Sequence, residues 1–242
     1  MKRLKISCLS AMLLFFIQLP LMSQEEPAHS LEVGSDFVSS YVWRGLLYNG
    51  SPNIQPGLYY SGFNGKFTLG AWGSFSMADP YKEVDLYASL NLGKFTFAVW
   101  DYYTAPEFGQ AKYFSYVKKA TYHAMEGSVV FNGPEKFPLQ LTLGTFFYGN
   151  DMDPNGKNYY STYVEAAYPF TVGKQNLNVF LGGTPAEGLY AKRASIMNFG
   201  VSLSRSINIT EKFSIPVTGS LSFNPESDDV FLVVSFNLSS ND

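Results

Sequence analysis

The sequence predicts an all-β chain closed as an antiparallel transmembrane β-barrel of about twelve strands. Three observations predict it. Apolar and small polar residues alternate in short segments. Turn residues separate those segments at short, regular intervals. The longer connections fall on every second loop.

The alternation is clearest at the end of the chain. Val230, Leu232, Val234, Phe236 and Leu238 share one parity, and Val233, Ser235 and Asn237 the other. Before them Phe213, Ile215, Val217, Leu221 and Phe223 oppose Ser214, Thr218, Ser220, Ser222 and Asn224. Earlier still, Met197, Phe199, Val201 and Leu203 oppose Asn198, Gly200, Ser202 and Ser204. A period of two is that of a strand, whose successive side chains point to opposite faces. The polar face carries Ser, Thr, Asn and Gly rather than Lys and Glu. Such a pattern suits apolar residues facing lipid and small polar residues facing a wet interior.

Strands are expected at 31–44, 52–61, 66–76, 82–92, 94–103, 122–131, 137–148, 158–169, 175–183, 195–207, 213–223 and 229–238. The even connections are short: Asn64-Gly65, Gly93-Lys94, Asn132 to Lys136, Val172-Gly173-Lys174 and Asn208 to Lys212. Asn-Gly is a tight-turn pair. Among the odd connections, Thr104 to Thr121, Gly149 to Lys157 and Thr184 to Ala194 are longer, while those around 45–51, 77–81 and 224–228 are modest. Loops long on one rim and short on the other are the asymmetry of outer-membrane barrels.

The chain opens as a signal peptide does. Lys2, Arg3 and Lys5 form a basic start, and Ala11 to Leu19 is an apolar run of the expected length. Cleavage after Ser23 divides the chain into a leader, 1–23, and a barrel domain, 24–242. The run is too short and interrupted to cross a bilayer of about 30 Å as a helix. The single cysteine, Cys8, leaves with the leader, so no disulfide or thiolate chemistry is expected. Losing the leader's three bases reduces 17 basic residues to 14, against 20 acidic, a net charge of about −6. That balance argues against nucleic acid, which wants a basic stripe. Charged residues are 15% of the chain, below the roughly 25% of soluble domains. An exported, aromatic, weakly charged chain is expected in the cell outer membrane. Its partners there would be outer-membrane lipid, lipopolysaccharide and the insertion machinery.

Aromatic residues fall near strand ends: Tyr41 and Trp43, Tyr59 and Tyr60, Trp100, Tyr102 and Tyr103, Tyr159 and Tyr160. These are expected as a girdle at the headgroup level, where a ring is apolar and its tip wet. Arg205 shares parity with Leu203 and Ile207 and would face lipid. Either it snorkels to nearby headgroups or a bulge shifts the register.

Asp36-Phe37-Val38-Ser39-Ser40-Tyr41-Val42-Trp43-Arg44-Gly45, then Pro52-Asn53-Ile54-Gln55-Pro56 and Gly70-Ala71-Trp72-Gly73-Ser74, resembles the TorF family of porins, most clearly over residues 31–90. The resemblance implies an outer-membrane barrel and a porin, with no particular solute. The end of the chain departs from the outer-membrane habit of closing on an aromatic residue: Asn237-Leu238 and a polar tail follow Phe236.

No catalysis is expected, and no cofactor or metal. Lipid hydrolysis on a barrel wall would need a His and a Ser within hydrogen-bond reach. His29 and Ser30 point apart if extended, and Thr121 and Met125, the same-face neighbours of His123, offer no serine. Both histidines are expected on the surface. Asp151, Asp153 and Asn155 hint at Ca²⁺, but the twelfth-position Glu of an EF-hand is missing, so a turn is expected.

The lumen remains. Parity assigns Asp36, Ser40, Arg44, Gln55, Trp72, Asp85, Tyr87, Glu126, Tyr163 and Glu165 inward, with Arg44 near the outer rim. Acids outnumber bases, which favours passive passage of small polar or cationic solutes. About eight strands are filled by side chains and about 16–18 leave an aqueous channel, so about twelve with these aromatics predicts a narrow bore. One rival is a structural or surface-binding barrel with a plugged lumen. Its working parts would be the outer loops, with Lys112, Lys118, Lys119, Lys192 and Arg193. A second rival is a soluble carrier with the alternation turned inside out.

Overall fold

The computed structural model describes residues 29–104, 112–118, 120–211 and 213–239. The predicted leader and Lys119 lie outside them. The barrel strands are β1 (Ser30–Val38), β4 (Asn53–Gly62), β5 (Phe67–Ser76), β6 (Lys82–Leu92), β7 (Phe95–Thr104), β8 (His123–Asn132), β9 (Gln140–Gly149), β10 (Thr162–Val172), β11 (Gln175–Thr184), β12 (Ser195–Asn208), β13 (Ser214–Asn224) and β14 (Asp229–Ser239). Each pairs antiparallel with its neighbours, and β1 pairs with both β4 and β14, closing a twelve-stranded barrel. The two remaining strands, β2 (Tyr41–Trp43) and β3 (Leu46–Asn49), form a separate hairpin.

The alternation sorts as the fold class requires. Leu232, Leu221, Val201 and Val179 stand opposite one another across β14, β13, β12 and β11 and form an apolar rung on the outside. Leu232 is 71% exposed. Ser235, Thr218, Ser204 and Asn176 form a rung of the opposite parity, inside, where the Ser204 and Thr218 hydroxyls lie 2.7 Å apart. The buried set is therefore largely polar: Asn53, Gln55, Ser74, Glu83, Asp85, Glu126, Asn198 and Asn224. An apolar outer wall around a polar bore is the reverse of a soluble carrier and fits a hydrocarbon surround.

Several strand ends differ from the sequence expectation. The predicted strand 31–44 stops at Val38, because the chain turns off the wall and enters the hairpin. The strand expected at 137–148 starts at Gln140, after a turn in which Phe137 N–H donates to Pro134 O. The strand expected at 158–169 starts at Thr162, just beyond Tyr160, whose positive φ of 56° breaks the extended run. Met197, expected outward with Phe199, is completely buried. The β11–β12 ladder slips at Gly182/Gly183, pairing Gly183 with Ile196 and Gly182 with Asn198, so Met197 is the extra residue of a bulge. Arg205 stands outside opposite Val217, in a β12–β13 ladder that runs unbroken from Phe199 to Asn208. It lies near the short-turn end, within reach of an interface.

Candidate functional site

The hairpin is the feature that decides what the bore can do. Its turn is Arg44-Gly45, with φ of 50° and 77°. Two positive φ values make the tight hairpin turn whose twist matches its strands. Gly45 is required for a second reason: a Cβ there would meet the Met197 carbonyl, and Asn224 Nδ2 donates to Gly45 O at 2.9 Å. The hairpin thus leaves the wall after β1 and its tip reaches the far side of the bore.

At the tip the Arg44 guanidinium forms an ion pair with Glu126 on β8. Arg44 Nη2 donates to Glu126 Oε1 at 2.9 Å, and Nη1 donates to the Tyr190 hydroxyl at 2.6 Å. Its charge lies 4.3 Å from the Trp43 ring and 4.8 Å from the Tyr163 ring. Phe146, Tyr163, Tyr190 and Met197 pack together beside it, with Trp43 and Tyr102 against them. Glu126 is wholly buried, and a buried carboxylate persists only when paired and hydrogen-bonded. Gly144 makes room for the pair, since a Cβ there would lie 2.7 Å from Glu126 and 2.9 Å from Arg44.

The hairpin base is fixed by amides. Asn53 Nδ2 donates to Asn49 Oδ1 at 2.9 Å, Ser74 Oγ donates to Asn53 Oδ1, and Gln55 Nε2 donates to Ser74 Oγ. Asn49 Nδ2 in turn donates to both oxygens of Asp79, at 3.0 and 2.9 Å. The Asn49 amide, with the Tyr81 N–H, holds the Asp79 carboxyl below the usual carboxylate range.

The hairpin divides the lumen. Toward the short-turn end lies a cavity of about 360 Å³ lined by Trp43, Tyr59, Trp72, Asp85, Tyr87, Trp100 and Tyr102, among others. Toward the long-loop end lies a cavity of about 170 Å³ that includes Trp43, Tyr48, Glu83, Tyr102 and Asp151. Trp43 and Tyr102 border both.

The residues assigned inward by parity separate into groups. Arg44, Glu126, Tyr163 and Glu165 come together at the hairpin tip, where the Tyr163 hydroxyl donates to Glu165 and Asn198 Nδ2 donates to both. Trp72, Asp85 and Tyr87 line the larger cavity. Gln55 belongs to the amide chain at the hairpin base. Asp36 stands apart, accepting from Asn237 Nδ2 at 2.8 Å. Arg44 is not at the outer rim, because the strand that would have carried it there ends at Val38.

The girdle expectation is also corrected. Tyr41 and Trp43 ride the hairpin inside the bore, and Tyr59, Trp100 and Tyr102 have lumen-facing parity and line the larger cavity. Sequence reasoning missed the lumenal aromatics Trp43, Tyr102, Phe146 and Tyr190. It also passed over Glu83, which shares the parity of Asp85.

His123 is not a surface residue. Its Nδ1 lies 2.7 Å from Asp101 Oδ1, its Nε2 lies 2.6 Å from Tyr113 O, and its ring stacks on Tyr116 at 4.1 Å. The segment 112–118 folds back over the outer wall and buries it. Both ring nitrogens face acceptors, the Asp101 carboxylate and the Tyr113 carbonyl. Asp151 and Asp153 serve local structure. Asp151 accepts from the Ser161 N–H and hydroxyl, and Asp153 accepts from the N–H groups of Asn155 and Lys157.

No family model matches the chain, so the TorF resemblance has no such support, and no curated protein matches it. Among solved structures, an outer membrane channel from Pseudomonas putida F1 aligns at 11% identity with a TM-score of 0.43, covering 90% of this chain and 99% of its own. The outer membrane protein opdK from Pseudomonas aeruginosa aligns at 16% identity with a TM-score of 0.39, covering 90% and 68%.

Proposed function

We propose that this protein is an outer-membrane channel for small polar or cationic solutes, constricted by the inner hairpin. The observation that carries this reading is the hairpin itself, ion-paired across a bore whose remaining wall is acidic. An apolar exterior calls for a lipid surround, with lipopolysaccharide at the long-loop rim. Among the described residues the base at the hairpin tip, Arg44, is engaged by Glu126, and Asp36, Glu83, Asp85 and Glu165 leave the rest of the bore acidic. A low-dielectric wall lined by one sign of charge concentrates the opposite ion. Passage is passive and depends on displacement of the hairpin tip.

A second reading is a permanently plugged barrel that works through its outer loops. The aromatic packing around Trp43 favours it. Planar-bilayer recording separates the two. The channel reading expects small, cation-preferring conductance that rises when Arg44 is replaced by Ala. Well-folded protein that conducts neither as wild type nor as Arg44→Ala would leave only the plugged barrel.

A further inference from the structure

We infer that the larger lumenal cavity is a binding site for a small organic cation of the quaternary ammonium class. This deepens the channel reading and rests on it for its biological sense, though not for its chemistry.

Three observations meet in the cavity. First, its wall is a continuous aromatic strip. Tyr59 lies 6.4 Å from Tyr87, Tyr87 stacks on Trp100 at 4.1 Å, and Trp100 stacks on Tyr102 at 5.8 Å. Trp72 adds a further face beside Tyr41. Second, Asp85 lines the same space and is 2% exposed. Its neighbour on the same face of β6 is another buried acid, Glu83. Among the described residues lining the cavity Arg44 is the one base, and it is committed to Glu126. A bound cation relieves such a pair of like charges. Third, the aromatics of this lumen already hold a cation: Arg44 rests over Trp43 and Tyr163.

A quaternary ammonium ion matches this wall. It cannot donate strong hydrogen bonds and is held by ring faces and by charge. The volume, about 360 Å³, admits such an ion with some of its water, each water taking about 30 Å³. A neutral sugar would stack on the same rings and could donate hydroxyl hydrogen bonds to Asp85, but it would leave the charge of the acids uncompensated.

The test is built into the chain. The sequence has three tryptophans, and all of them line this cavity. Intrinsic tryptophan fluorescence of the full-length protein in a non-ionic polyoxyethylene detergent therefore reads this site. The probes are choline chloride, its neutral isostere 3,3-dimethyl-1-butanol, maltose, and sodium chloride at matched ionic strength. We expect a saturable change with choline and affinity lower by about tenfold or more for the isostere. We expect no saturation with maltose or sodium chloride. Asp85→Asn and Trp72→Leu should abolish saturation, and Trp72→Phe should retain it. The heat-dependent gel shift of the folded barrel verifies each variant, and Trp72→Leu against Trp72→Phe decides the matter if Asp85→Asn does not fold. Equal affinity for the isostere, saturation by maltose or sodium chloride, or wild-type affinity in folded Asp85→Asn overturns the assignment. Binding requires no open pore. Choline binding without any conductance sinks the channel and leaves this site, whereas conductance without choline binding does the opposite.

Discussion

Arg44 and Glu126, 82 positions apart in the chain, are joined inside the barrel through both guanidinium nitrogens Nη1 and Nη2. The side chain of Glu126 is fully buried and that of Arg44 is 13% exposed. One belongs to the hairpin and the other to the wall, so this pair ties the hairpin tip to the far side of the bore.

Breaking the pair from one side leaves a charge buried alone. Arg44→Ala or Glu126→Ala should destabilise the docked hairpin by about 3–5 kcal/mol. Replacing both partners by apolar residues of similar size, Arg44→Met with Glu126→Leu, should cost far less. Single-channel recording should show larger, noisier openings for each single variant and near wild-type behaviour for the double.

Space beside the pair is equally demanding. Gly144→Ala should push on both Glu126 and Arg44. It should reproduce the Arg44→Ala conductance in weaker form while the outer wall stays intact. An unchanged trace from this variant would mean that the hairpin has room to spare.

The hairpin base is anchored through the exposed Asp79. Its carboxyl pKa is depressed in the folded protein by the Asn49 amide. A depressed carboxylate stabilises above its unfolded pKa, and that stability is lost as pH falls through the folded value. The anchor should therefore hold at neutral pH and loosen below about pH 4. Conductance recorded across this range should rise on the acid side in the wild type. Asp79→Asn, which cannot titrate there, should lack the Asp79 component of that rise.

His123 ties the segment 112–118 to the outer wall. His123→Ala removes the ring that meets Asp101, Tyr113 and Tyr116. Trypsin should then cut at Lys112 and Lys118 several-fold faster on intact cells or in proteoliposomes. An unchanged cleavage rate would assign the fold of this segment to other contacts, such as the hydrogen bond from the Tyr148 hydroxyl to Tyr116 O.

The wall was readable from the sequence because each outward residue meets the same demand. Leu221 and Leu232 need nothing beyond an apolar surround, so period two alone places them. Parity also put Glu126, Tyr163 and Glu165 inside. The hairpin was not read, because Tyr41, Val42 and Trp43 continue the alternation of β1 without a break. Only the Arg44-Gly45 turn and the second short run, Leu46 to Asn49, distinguish a return from a strand end. Non-local chemistry, the meeting with Glu126, settles which it is. Met197 was misplaced for a similar reason: a bulge inserts one residue and leaves no mark in the alternation. The burial of His123 depends on a loop folding back over the wall, which no strand period encodes.

With Trp43, Trp72 and Trp100 all committed to the interior, no indole remains to mark depth in the bilayer. The vertical seating of the barrel falls to tyrosines such as Tyr60 and Tyr103 and to the guanidinium of Arg205 near the short-turn end. Phenols and rim cations hold a membrane boundary less firmly than indoles, so this barrel should tolerate vertical displacement in bilayers of different thickness.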